Sequence, residues 1–178
     1  MRRFEFVTKY KDSGLSLPER KTKDSAGYDF IVAEDTIVPS YYYMHQKIVD
    51  NLGVQKYPLS LNDVSRITKQ YDSRLTLVPT GVKCYLNEGE YLELSMRSSA
   101  PLKHWLIMGN SVGIIDKDYA DSDKSEGMIY FQIINLFPYP ILLKKGDIIG
   151  QGIIKHYEIT DNDNAKEIRT GGFGSTSK

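Results

Sequence analysis

The chain has 178 residues, enough to bury a sizeable core within one domain. Its 23 basic and 23 acidic side chains cancel, so no broad basic face argues for nucleic acid. No apolar run reaches membrane-spanning length, and the N-terminal MRRFEFVTKY carries charge without a long apolar segment behind it, so a cytoplasmic protein is expected.

In chain order, most of the sequence reads as short strands. Arg3 to Lys9 alternates, and Leu75-Thr76-Leu77-Val78-Pro79 is rich in β-forming residues. Cys84 is the one cysteine, so no internal disulfide can form. It lies in the alternating stretch Val82 to Leu86 and reads as a small buried side chain. Asn87-Glu88-Gly89-Glu90 reads as a turn, and Tyr91 to Ser95 alternates strictly. Met128 to Asn135 is a longer apolar run, Leu143 to Asp147 is a polar corner, and Ile148 to Tyr157 is a further strand. Gly, Pro and Asx punctuation at this spacing predicts an all-β sandwich or barrel.

The period shifts between Tyr41 and Asp72. Ser60 followed by Asp63 has the form of a capping box, and Leu61, Val64, Ile67 and Tyr71 then fall on one helical face. Tyr43, Lys47, Ile48 and Leu52 suggest a shorter helix ended by Gly53. The reading is a helical insert over 41–72 in a single domain of 1–178; an ordinary long loop is the alternative. His45, His104 and His156 are scattered without metal-ligand spacing.

The C-terminal residues carry the most pointed chemistry. Arg169-Thr170-Gly171-Gly172-Phe173-Gly174-Ser175-Thr176 cannot build a core. Its glycines let backbone N–H groups approach oxygens, Phe173 offers a flat face for a base, and Arg169 offers a forked cation for phosphate. A frayed polar terminus is the plain alternative. Four further segments accompany it: Ser25-Ala26-Gly27-Tyr28-Asp29-Phe30, Ser95-Met96-Arg97-Ser98-Ser99-Ala100, Asn110 to Tyr119 with Asp116 near its centre, and Gly146-Asp147-Ile148-Ile149-Gly150-Gln151.

Each segment alone is weak. All five, in this order, resemble the five motifs of the trimeric dUTPases, and Leu77-Val78-Pro79-Thr80-Gly81 resembles the same family. Pro101-Leu102-Lys103-His104 and the loop before Glu126-Gly127 look most similar to members from Gram-positive bacteria and their phages. The resemblance implies a jelly-roll-like β-barrel, a homotrimer, and hydrolysis of dUTP to dUMP and pyrophosphate, which limits uracil in DNA and supplies dUMP for dTMP synthesis.

By the same resemblance, Asp116 orients and deprotonates the water that attacks the α-phosphorus. Tyr119 packs under the deoxyribose and excludes a 2′-hydroxyl, and Asn110 sits in the hairpin that reads uracil. Arg97, Ser98 and Ser99 bind the triphosphate from a neighbouring subunit, Gln151 contacts a phosphate oxygen, and Asp29 stands behind them, near the metal waters or holding the site. Arg169, Phe173, Ser175 and Thr176 close over the nucleotide from a third subunit, as a lid spanning 167–178. Mg²⁺ is implied, held mainly by the triphosphate and waters rather than by a protein cage.

The chain departs from the common pattern in several places. Ala120-Asp121 stands where many relatives carry Arg-Gly, and the loop Ser122-Asp123-Lys124-Ser125 is enlarged. Arg169 lies four residues before Phe173 rather than five, and Ser177 follows the final Ser-Thr. Two rival readings accompany the main one. A dCTP deaminase of the same fold is disfavoured by Gly113-Ile114-Ile115-Asp116 and by the glycine-rich tail. An added protein-binding role through the 41–72 insert would supplement catalysis rather than replace it.

Overall fold

The computed structural model describes residues 1–52, 58–166 and 169. Eleven strands and three α-helices are formed by them. The strands are β1 (Arg3–Phe6), β2 (Tyr28–Ile31), β3 (Thr36–Val38), β4 (Thr76–Pro79), β5 (Val82–Tyr85), β6 (Glu90–Met96), β7 (Leu106–Met108), β8 (Gly113–Asp116), β9 (Tyr130–Asn135), β10 (Ile141–Leu143) and β11 (Ile148–His156). The helices are α1 (Tyr41–Leu52), α2 (Leu61–Gln70) and α3 (Ser99–His104). No helix among the described residues is long and apolar enough to cross a membrane.

All strand pairs are antiparallel. They form four small sheets, in the orders β1-β5, β10-β3, β2-β11-β6-β8 and β4-β9-β7. One apolar core serves all four: Cys84 comes from the first, Val38 and Leu143 from the second, Phe30, Leu92 and Leu94 from the third, and Val78, Phe131 and Ile133 from the fourth. This is the all-β barrel that the alternating strands predict. Burying each Leu, Ile or Phe contributes about 1.5–3 kcal/mol. Phe4 meets Phe30 edge to face at 5.5 Å, and Phe30 meets Phe131 in a tilted pair at 5.8 Å, tying β1, β2 and β9 together.

The period-two pattern is visible in β9, where Phe131, Ile133 and Asn135 are buried while Tyr130, Gln132 and Ile134 are only half-buried. Cys84 is 1% exposed, and burial pushes its thiol up to about 12.

Several expectations need correction. β1 stops at Phe6, and Thr8–Tyr10 turn as a 3₁₀ helix instead of continuing the alternation to Lys9. Glu90 is not a turn residue. It starts β6 with a carboxylate sealed from solvent, covered by the half-exposed Arg2, whose Nε donates to Oε1 at 2.7 Å. The Asn87 N–H also donates to this carboxylate, at 2.9 Å.

The helices at Tyr41–Leu52 and Leu61–Gln70 follow the shift in period, and the capping box of Ser60 and Asp63 is formed in both directions. α1 is the longer of the two, and Gly53, read as its stop, lies outside the described residues. The apolar face read on α2 is not buried as a whole. Ile67 is buried, but Leu61 is 86% and Val64 44% exposed. Helical periodicity reports that residues share a face; it does not say what covers that face.

Candidate active site

Asp116 is the last residue of β8. Its strand pairs with β6 in a register that sets Tyr91 opposite Asp116 and Leu94 opposite Gly113. The turn from β7 into β8 is tied down by backbone: Gly109 N–H donates to Gln132 O at 2.9 Å, Ser111 N–H to Met108 O at 3.3 Å, and Val112 N–H to Asn110 O at 2.6 Å. After Asp116 the chain turns as a 3₁₀ helix over Lys117–Tyr119. Tyr119 is buried, and its hydroxyl donates to Met128 O at 3.0 Å.

These elements enclose a cavity of about 160 Å³ lined by Asn110, Asp116, Tyr119, Tyr130, Gln132 and Arg169. Four sequence-predicted residues, Asn110, Asp116, Tyr119 and Arg169, are therefore brought together. The Arg169 guanidinium is paired with both Asp116 and Asp118, and its Nε lies 2.8 Å from Asp118 Oδ1. Tyr130 and Gln132 were not singled out from sequence. Their signal was the alternation of β9, which puts them on the face opposite Phe131 and Ile133.

A second cluster gathers around β11. Gln151 lies in register with Asp29 of β2 on one side and Ser95 of β6 on the other. A Cβ on Gly27 would fall 2.5 Å from Gln151 Oε1, so the glycine in the first motif leaves room for the glutamine of the fourth. Arg97 follows β6, with its Nε 3.6 Å from Asp29 Oδ1, an ion pair slightly too long for a hydrogen bond.

Ser98 and Ser99 begin α3, and the Ser98 side chain makes no cap bond to it. Pro101 is tolerated because it lies in the first turn, where N–H groups have no partner within the helix. Arg97 and Ser99 open onto a cavity of about 510 Å³ with a mixed wall, where Lys103, His104 and Asp147 stand beside Leu106, Ile141 and Leu143.

The two clusters are not brought together within one chain. Asp116 is level with Tyr91 at one end of β6, and Arg97 lies just past the other end. Six residue steps along a strand span about 20 Å. Phe173, Ser175 and Thr176 lie outside the described residues. Among the described residues, no three His, Cys, Asp or Glu side chains converge as a metal-binding group. Carboxylates reach each cluster singly or as the Asp116–Asp118 pair.

Comparison with known proteins follows the same lines. The dUTPase family profile matches residues 60–177. A deoxyuridine 5′-triphosphate nucleotidohydrolase of Lactococcus lactis is 36% identical over 179 residues, covering 99% of this chain and 97% of that one. The crystal structure of dUTPase from Streptococcus mutans is 34% identical and superposes with a TM-score of 0.68, covering 89% of this chain and 98% of that one. A mutant dUTPase from phage phi11 of S. aureus, whose structure describes the coordination of a structural Mg(II) ion, shares the fold at a TM-score of 0.60 and 16% identity, over 94% of this chain and 97% of that one. The chain belongs to the dUTPase family and is an enzyme of the dUTP diphosphatase type.

Proposed function

We propose that the chain hydrolyses dUTP to dUMP and pyrophosphate at sites completed between copies in a homotrimer. The observation that carries this reading is the separation of about 20 Å along β6 between the Asp116 cavity and the Arg97 cluster. One chain holds a base-and-sugar half and a phosphate half at opposite ends of a strand. Copies related by a closed rotation can bring one chain's Arg97 end to another's Asp116 end.

In the first half, Asn110 and its backbone-tied turn face the uracil, and the Tyr119 ring packs against the deoxyribose. A ring held at that depth leaves no room for a 2′-hydroxyl, and a tight backbone-lined pocket leaves none for a 5-methyl group. Asp116, half-exposed at the end of β8, accepts the proton of the water that attacks the α-phosphorus. In the second half, the Arg97 fork, the hydroxyls of Ser98 and Ser99, and the Gln151 amide supply donors to phosphate oxygens. Asp29 holds the Arg97 guanidinium in place. Arg169, Phe173, Ser175 and Thr176 close over the nucleotide, stacking on uracil, binding terminal phosphate oxygens and excluding water.

The side chains present fit a Mg²⁺ bound through the triphosphate. The ion favours phosphate oxygens and water, and the chain offers carboxylates without a three-ligand group among the described residues. When bound, it offsets triphosphate charge.

Subunit mixing tests the composite site. Asp116→Asn and Arg97→Ala chains, each nearly inactive alone, are expected to regain pyrophosphate release from dUTP when unfolded and refolded together. Mixed trimers then contain sites with both residues intact. No recovery in trimers shown to be mixed would place both residues in one chain's site. UTP, dCTP and dTTP serve as parallel substrates, and ammonia release from dCTP would signal deamination instead.

A further inference from the structure

Asp121 adopts a left-handed backbone at φ 60°. A residue with a side chain is uncommon in that conformation. Its carboxylate is anchored to β5. It pairs with the Lys83 ammonium and accepts the Tyr85 hydroxyl at 2.9 and 2.8 Å on its two oxygens. The Lys83 side chain is only 11% exposed, so Asp121 is the counter-charge of a nearly buried cation. The far end of the same loop has a second anchor: the Glu126 carboxylate accepts Thr8 N–H at 3.0 Å and the Thr8 hydroxyl at 2.8 Å.

Tyr119 lies between these anchors and the candidate nucleotide cavity. Its carbonyl accepts Ser122 N–H at 3.3 Å, and its hydroxyl donates to Met128 O at 3.0 Å and lies 3.3 Å from Ser125 Oγ. Asp121 N–H in turn donates to Glu126 O at 3.3 Å, closing the loop on itself. The approach is tight: a Cβ on Gly127 would come within 2.6 Å of Tyr119 O, and Gly127 has φ 76°. Moving the 120–127 loop therefore moves Tyr119.

We propose that Asp121 is a positioning residue for sugar selection: by tying the loop to Lys83 and Tyr85, it fixes how deeply the Tyr119 ring enters the cavity. This rests on the reading of Tyr119 as the aromatic that faces the deoxyribose. The carboxylate itself touches no substrate. Releasing it lets the ring retreat and admits a 2′-hydroxyl.

The test is the ratio of kcat/KM for dUTP to that for UTP, measured beside the melting temperature on trimeric protein. Asp121→Asn is expected to lower the ratio by about tenfold, mainly by improving UTP, since small misplacements in a site have effects of this order. Tyr85→Phe keeps the ion pair and removes only the hydroxyl, so a smaller fall in the same direction is expected; it carries the test if Asp121→Asn does not fold. Asp121→Glu, which keeps the charge, should restore part of the ratio. The double variant Lys83→Met with Asp121→Asn should regain melting temperature, because no buried ammonium is left unpaired, while the ratio stays low.

A lowered melting temperature with an unchanged ratio in Asp121→Asn, or a ratio that recovers with stability in the double variant, would overturn the proposal. Tyr119→Ala separates the two levels of the argument. If it leaves the ratio unchanged, the sugar-facing reading of Tyr119 fails first; if it lowers the ratio and Asp121→Asn does not, only the positioning role fails.

Discussion

The guanidinium of Arg169 lies on the carboxylate of Asp116, so the proposed base and the proposed phosphate-binding cation form an ion pair. Asp118 shares the same guanidinium.

Asp116→Asn keeps the shape of the side chain and removes its basicity. Turnover of dUTP should fall by about 10²–10⁴-fold, the usual worth of a positioned general base. Nucleotide binding, measured by calorimetry with a non-hydrolysable analogue, should stay close to that of the parent chain. Near-normal turnover would assign the base elsewhere.

Phe173→Ala should lower kcat/KM by the equivalent of about 1–3 kcal/mol, the worth of one base–aromatic stack. Truncation before Arg169 should cost more, because the guanidinium leaves with the aromatic. Both proteins should melt at the parent temperature. A sharp fall in melting temperature, with activity per folded molecule preserved, would make the segment a structural tail.

Glu90 supplies a prediction about acid. Arg2 holds its carboxyl well below the ordinary range, at about 2, with the Asn87 N–H adding to the effect. A depressed carboxylate contributes stability in full above the ordinary Glu range, and that contribution is lost as pH falls from about 4.5 to about 2. His156 Nε2 lies 3.9 Å from the same oxygen. Arg2→Ala should lower the melting temperature by several degrees at pH 7, with the gap closing progressively below pH 4. A gap independent of pH would mean that Arg2 acts through packing alone.

Replacing 41–72 by a short glycine-containing turn should preserve dUTP hydrolysis within about an order of magnitude, because none of the candidate site residues lies there. Leu61, Val64 and the Tyr41–Tyr43 run are exposed on the isolated chain, so the replacement should also improve solubility at high concentration. Loss of hydrolysis in a still-trimeric variant would show that the insert shapes the active site.

The parts of the fold that were legible in sequence are those where one local rule acted alone. β6 and β9 alternate because one face meets the core, and the Ser60–Asp63 box announces α2 through two reciprocal hydrogen bonds. β8 was hidden because it is four residues long and begins with Gly113 and ends with Asp116, residues that read as loop. α3 was hidden by Pro101, which is harmless only in a first turn. Glu90 looked like a turn residue because its partner, Arg2, lies 88 positions away. At the site, the motifs named Asn110, Asp116 and Tyr119, whereas Tyr130 and Gln132 join them through the pairing of β9 with β7, which no local pattern encodes.

The lone cysteine makes this protein a convenient subject for thiol chemistry. Cys84 sits in β5, opposite Phe4 of the neighbouring β1, neutral and out of reach of solvent in the core. Reagents that attack thiolates must wait for β1 and β5 to part, so the rate of modification of the parent chain reads how often that edge of the barrel opens. The same inertness leaves a silent background. A cysteine introduced at an exposed site such as Leu61 would take a fluorophore while Cys84 stayed unmodified, giving an optical reporter on the helices alone.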